Sequence, residues 1–137
     1  MVEHLNGAGM PVWGLRDTPW PHTPAGPLDV RDCVAARGYV AGDPLLDCGV
    51  ERDDSLLPEN PAVNTLAGLD VTHLDLTNAM CGPDRCPGVI GNVMVYRDSS
   101  HLTNMFAAML SDELEHQMYG GTLPSDEPVE EPASPGL

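Results

Sequence analysis

The run Asp98-Ser99-Ser100-His101 sets a carboxylate three positions before an imidazole, with two hydroxyls between them. Where a turn opens a helix, side chains three apart face one another, so Asp98 can accept a hydrogen bond from one ring nitrogen of His101. The other nitrogen is then left unprotonated and able to take a proton from a serine hydroxyl. The carboxylate meanwhile fixes the tautomer and stabilises the imidazolium that forms. These are the roles of base and orienter in a nucleophilic triad. The competing reading is structural: Asp98 caps the following helix and His101 is a partly exposed first-turn residue. D-x-x-H is short and arises by chance, so spacing alone favours the cap. Ser99 and Ser100 are themselves good caps, and an independent small hydrolase using Ser99, Ser100 or Ser111 is the weakest reading.

Other residues with chemical potential carry less. Arg16 and Asp17 could line a cleft, but an Arg-Asp pair before a turn is more often a structural tie. Trp13 and Trp20 are expected to pack rather than to serve as sugar platforms, although Trp20, between Pro19 and Pro21, could be exposed enough to stack on a glycan. Strand alternation is expected to send Arg97 to the face opposite Asp98. His4, His22, His73 and His116 have no ligand spacing with one another, so neither a metal nor any other cofactor is expected.

The elements that must hold these residues can be read from punctuation and period. Met10 to Leu15 is a short apolar run bounded by Gly9 and by Arg16-Asp-Thr-Pro-Trp20, which predicts a buried strand. Asp29 caps a helix over Val30 to Arg37 that Gly38 ends, with Cys33 on its inner face. Ala41 to Pro58 shows no sustained period and is expected to be a long loop. Asn60-Pro61 opens a helix running to Leu69, and Val71 to Leu76 alternates as a second strand with Asp75 and Thr77 at its exit. A hairpin about Gly91-Asn92 follows a turn from Cys81 to Cys86. Leu102, Met105, Phe106, Met109, Leu110 and Leu114 recur at helical spacing, which predicts one amphipathic helix reaching Gly120-Gly121, its methionines, Met118 included, in core positions. Past Gly121 the chain is acidic and proline-rich, a composition expected to be disordered.

Bulk properties bound what these parts can do. A chain of 137 residues with 14 Pro and 14 Gly has room for one modest, loop-rich core. Six Lys and Arg against 21 Asp and Glu leave a formal charge of -15, which argues against nucleic acid and anionic membranes as partners. The longest apolar run, Met105 to Leu110, is far below the roughly 20 residues that cross a bilayer, so no direct membrane insertion is expected. Cys33, Cys48, Cys81 and Cys86 allow three pairings. The wide gap between the first two argues against zinc and favours local disulfides, Cys33–Cys48 and Cys81–Cys86, and with them an oxidising compartment. Strands separated by helices predict an α/β fold with a parallel sheet. A sheet of two or three strands is thin, which suggests that the folding unit continues before Met1.

Gly88-Val-Ile-Gly-Asn-Val-Met-Val-Tyr-Arg-Asp-Ser-Ser-His-Leu-Thr103 resembles the final block of the SGNH hydrolase domain, in the version fused to bacterial integral-membrane acyltransferases. Ala8 to Val12 followed by Arg16-Asp-Thr-Pro19, the Asp32-Cys33 helix, Asp75-Leu-Thr77, and Cys81 to Cys86 before Val89-Ile-Gly-Asn92 are similar in order and spacing, so the resemblance covers residues 5 to 118. It implies a three-layer α/β/α flavodoxin-like domain over residues 1–119, incomplete at its N-terminal side, followed by a tail over 120–137. It also implies that Asp98 and His101 match the family's catalytic Asp and His. The family's Gly-Asp-Ser nucleophile block, and the Gly and Asn that join it in the oxyanion hole, have no counterpart here; Gly42-Asp43-Pro44 has no hydroxyl and lies too late in the order.

The resulting expectation is the C-terminal part of an extracytoplasmic esterase or O-acyltransferase domain. It would act on acyl, foremost acetyl, esters of cell-surface carbohydrate, be tethered to a membrane acyltransferase domain, and be inactive without a serine supplied from outside. Its partners would be an acyl donor and a carbohydrate acceptor. The alternative is a non-catalytic, disulfide-stapled extracellular interaction or glycan-binding module.

Overall fold

The computed structural model describes residues 1–120; the expected tail otherwise lies outside the described residues. A first helix, α1 (Val2–Gly7), too short to show a period in the sequence, is tied to a distant segment by Asn6, whose side chain donates to Asp70 O and accepts from Asp70 N, both at 2.9 Å. Strand β1 (Trp13–Leu15) follows. Next come β2 (His22–Thr23) and β3 (Gly26–Pro27), which pair antiparallel. Helix α2 (Val30–Arg37) begins and ends as expected: the Asp29 carboxylate accepts from Asp32 N at 3.0 Å, and Gly38 stops it in the left-handed region at φ 65°.

The stretch from Ala41 to Pro58 is not the featureless loop expected. It contains β4 (Val50–Glu51) and one turn of helix, α3 (Arg52–Ser55). An element two residues long cannot display a period, so only its pairing with a distant segment reveals it. Helix α4 (Pro61–Thr65) starts at the expected Asn60 cap, which accepts from Ala62 N at 3.0 Å, but stops short of Leu69 as the chain unwinds into turns ending at Gly68, φ 84°. Strand β5 (Thr72–Leu74) then lies parallel to β1, with Trp13 opposite Thr72 and Leu15 opposite Leu74.

After α5 (Thr77–Met80), β6 (Arg85–Cys86) pairs antiparallel with β4, and β7 (Val89–Ile90) and β8 (Val93–Met94) form the expected hairpin. Its turn residues Gly91 and Asn92 both have positive φ, 56° and 62°, the primed geometry that matches strand twist. The chain is therefore mixed α/β, with one parallel pair of strands; among the described residues the strands form four two-stranded sheets rather than one.

The final helix divides in two, α6 (Asn104–Met109) and α7 (Ser111–Tyr119). At Leu110 the N–H is shared between Phe106 O and Ala107 O, both at 3.3 Å, and Ser111 Oγ bonds back to Ala108 O at 2.7 Å. A serine that bonds back onto the preceding turn bends a helix. Phe106 and Leu110 are buried, but Met105 and Met109 face outward, so the core positions expected for the methionines hold only for the phenylalanine and leucine beside them.

The core gathers Val30, Val50, Met80, Val95, Tyr96 and Phe106 around both expected disulfides, Cys33–Cys48 and Cys81–Cys86. Arg85 spans the Asp47 carboxylate with two nitrogens and reaches Pro44 O at 2.8 Å. Two glycines are required by close approach: a Cβ on Gly49 would lie 2.5 Å from the Arg85 guanidinium, and one on Gly88 2.3 Å from Asp47 O. Removing both partners of the Cys33–Cys48 bond, whose sequence separation is 15, should lower unfolding free energy by about 3 kcal/mol in denaturant titration. Gly88→Ala should be strongly destabilising because its obstacle is backbone that cannot swing aside; wild-type stability for Gly88→Ala would contradict this packing.

Candidate active site

The hairpin delivers the chain into a closed loop. Beyond Met94, Tyr96 bridges to Leu102 and Arg97 N donates to His101 O at 2.9 Å, so residues 97–101 form a tight excursion over the core. Within it Asp98 Oδ1 accepts from the backbone N–H of Ser100 at 2.9 Å and of His101 at 2.8 Å. The same carboxylate receives His101 Nδ1, at 2.9 Å through Oδ2 and 3.1 Å through Oδ1. The expectation that Asp98 caps the following helix is not met. Asp98 organises the turn, but the cap of α6 is Thr103, whose Oγ1 accepts from Phe106 N at 3.2 Å and donates to Met94 O at 2.6 Å.

The geometry assigns the imidazole nitrogens. With Nδ1 on the carboxylate, Nε2 is the atom available for proton transfer, and among the described residues it has no hydrogen-bond partner. His101 is 64% exposed at its side chain and Asp98 37%, so the pair stands at the surface. Ser100 Oγ lies 3.5 Å from Nδ1, the nitrogen already engaged, and Ser111 Oγ is committed to Ala108 O. Neither is placed as a nucleophile. Arg97 departs from expectation: its Nε lies 3.7 Å from Asp98 Oδ2, because the chain has left strand geometry after Met94 and alternation no longer governs it. Both partners are substantially exposed, which leaves the contact screened and weak.

A second group of residues gathers at the C-terminal ends of the parallel strands. Arg16, following β1, is 9% exposed at its side chain; it donates to Asp75 Oδ2 at 3.0 Å and to the Leu57 carbonyl. Partial burial opposes ionisation of Asp75, but hydrogen bonds from Thr77 and from Arg16 outweigh it and lower its pKa. This is the structural tie expected of Arg16, though its carboxylate partner is Asp75 rather than Asp17. Beside it opens a cavity of about 490 Å³, with Leu15, Asp17, Trp20, Asp54, Leu57 and Asn60 among its walls. Neither tryptophan is buried: Trp20 is 53% exposed on this cavity, and Trp13 leans on Tyr119 with ring centres 6.5 Å apart. The wall from Asp54 onward was not legible as a site, since it falls in the stretch that reads as loop. Tyr96 joins the two groups, donating its buried hydroxyl to Pro19 O at 2.6 Å. Among the described residues no cluster of His, Cys, Asp or Glu is arranged to hold a metal ion.

Residues 1–116 match the SGNH domain (fused to AT3 domains). The chain belongs to this SGNH family. The match agrees with the resemblance drawn from residues 5 to 118. No curated protein and no solved structure matches the chain. Among the described residues of this SGNH domain, no helix is long and apolar enough to cross a membrane.

The backbone N–H of His101 foremost, then that of Ser100, with the imidazole adding to both, holds the Asp98 carboxyl down at about 2. A carboxyl whose pKa is depressed on folding contributes stability above its ordinary value, near 3.8, and loses it as pH falls through the folded value. The Asp98 side-chain carbon, followed by NMR, should therefore titrate with a midpoint near 2, and the His101 amide shift should move with it. A midpoint at the ordinary carboxylate value would show that the turn is not formed in solution.

Proposed function

We propose that Asp98 and His101 are the orienter and general base of a serine-dependent acyl-transfer site. In this reading the site acts on acyl esters, foremost acetyl, of cell-surface carbohydrate. The domain is extracytoplasmic, tethered in its parent protein to a membrane acyltransferase domain, and completes a three-layer α/β/α flavodoxin-like fold. The observation that carries the proposal is the double contact of the Asp98 carboxylate with His101 Nδ1, which leaves Nε2 as the basic atom. The serine comes from a segment outside this chain. Its Oγ attacks the acyl carbonyl as Nε2 takes the hydroxyl proton, and the imidazolium returns that proton to the departing oxygen. A sugar hydroxyl or water, deprotonated by the same nitrogen, then attacks the acyl carbonyl, and the imidazolium returns that proton to the departing serine Oγ.

Support for a missing segment comes from the parallel pair β1–β5. Parallel sheets are normally covered on both faces, yet Trp13 of β1 and its register partner Thr72 of β5 are both exposed. The disulfides favour an oxidising location. One observation favours the second reading, a glycan-binding or interaction module without catalysis: no hydroxyl of the described residues reaches Nε2.

Co-expression with a polypeptide carrying a Gly-Asp-Ser block should generate hydrolysis of p-nitrophenyl acetate that this chain alone lacks. In that assembly His101→Ala should lower kcat on the order of 10⁶-fold and Asp98→Asn on the order of 10⁴-fold. Equal activity of wild type and His101→Ala would eliminate the catalytic reading and leave the binding module.

A further inference from the structure

We propose that the cavity at the C-terminal end of β1 holds a neutral sugar residue, with Trp20 as its stacking platform; this rests on the acyl-transfer reading for its place in catalysis. Ligand sites in parallel α/β sheets lie beyond the carboxyl ends of the strands, where Leu15 and Arg16 open onto this space. At about 490 Å³ the cavity falls in the size range of small-molecule sites.

Trp20 is presented rather than packed. Pro19 and Pro21 on either side are fully buried, and Trp20 N donates to Ser55 O at 3.1 Å, so the backbone is anchored while the residue as a whole stays 53% exposed. An aromatic face fixed in this way suits the apolar C–H face of a pyranose, whose hydroxyl edge needs acceptors and donors around it. The rim supplies them. Asp17 Oδ1 accepts from Thr18 N and leaves Oδ2 unused, and Asn60 spends its Oδ1 on the α4 cap and keeps its amide N–H groups. Ser55 Oγ, on a residue of the same wall, is buried without a partner among the described residues, the kind of group that a bound hydroxyl or water satisfies.

Charge selects among sugars. The Arg16 guanidinium is neutralised by Asp75 and occupied by Leu57 O, whereas Asp17 and Asp54 have no cationic partner among the described residues. With a formal charge of -15 on the whole chain, an acidic sugar is repelled and a neutral one is not. Tyr96 adds the connection to chemistry, because its hydroxyl holds Pro19, next to the platform, while its backbone leads directly into Arg97 and Asp98.

The test titrates the full chain, by NMR, with trisaccharides of glucose, galactose and N-acetylglucosamine and with a galacturonate trisaccharide. At least one neutral sugar should bind and shift the Trp20 indole. Trp20→Ala should weaken binding by about tenfold or more, Trp20→Phe should retain most of it, and Trp13→Ala should leave it unchanged. Combined Asp17→Asn and Asp54→Asn should raise affinity for galacturonate. Backbone shifts outside the cavity verify that each variant folds. The site is refuted if no neutral sugar binds, if Trp20→Ala binds normally, or if the acidic trisaccharide binds as well as the neutral ones. Since His101→Ala should leave sugar binding intact, a failed acyl-transfer reading and a failed sugar site give different results.

Discussion

The ion pair between Asp47 and Arg85 is the contact on which the rest of the molecule hangs. Asp47 is almost fully buried, and a buried carboxylate stripped of its partner is typically destabilising by about 3–5 kcal/mol. Arg85 grips both its oxygens while Gly49 N donates to Oδ1 at 2.7 Å, and the neighbouring Cys48 is bonded to Cys33 of α2. The pair sets β4 against β6, and β4 leads straight into α3. From α3 onward, Ser55 O holds Trp20 and Leu57 O holds Arg16. The C-terminal ends of the parallel strands are thus positioned by a stretch whose regular structure is only β4 and the single turn of α3.

The 97–101 loop solves a different problem with the same economy. A surface carboxylate would ordinarily orient an imidazole poorly, because water competes for both. Two backbone N–H groups hold the Asp98 carboxylate in place while it also meets Nδ1. The side chain that shapes the turn also fixes the tautomer. Shaping the turn and holding the imidazole are therefore not alternatives at this position.

Where a signal is local, the sequence announces it. Asp29 and Gly38 delimit α2, Asn60 starts α4, Gly91-Asn92 makes the hairpin, and loop length selects the disulfide pairing, each through a few neighbouring residues. The Asp98–His101 contact was legible for the same reason. Long-range determinants were not. Val50–Glu51 is a strand only because Arg85–Cys86 lies beside it, and the α6–α7 break depends on one hydroxyl returning to a carbonyl. Thr103, five residues after Asp98, is the helix cap because residues 97–101 close a turn of their own before the helix begins. Trp20 was ambiguous in the sequence, since exposure is decided by what buries the prolines around it.

The parallel β1–β5 pair has a consequence for the order in which the molecule assembles. The Cys81–Cys86 bond spans a separation of 5 and the hairpin closes over two residues, so the platform under Asp98 and His101 is built from near neighbours. Arg16 and Asp75 are 59 apart and Tyr96 and Pro19 are 77 apart, and contacts across such spans are slow to find during folding. The Asp98–His101 turn thus rests on contacts close in sequence, while the cavity beyond β1 depends on contacts between distant parts of the chain. A chain in which only the short-range contacts have formed would hold the Asp98–His101 pair without the walls of the cavity.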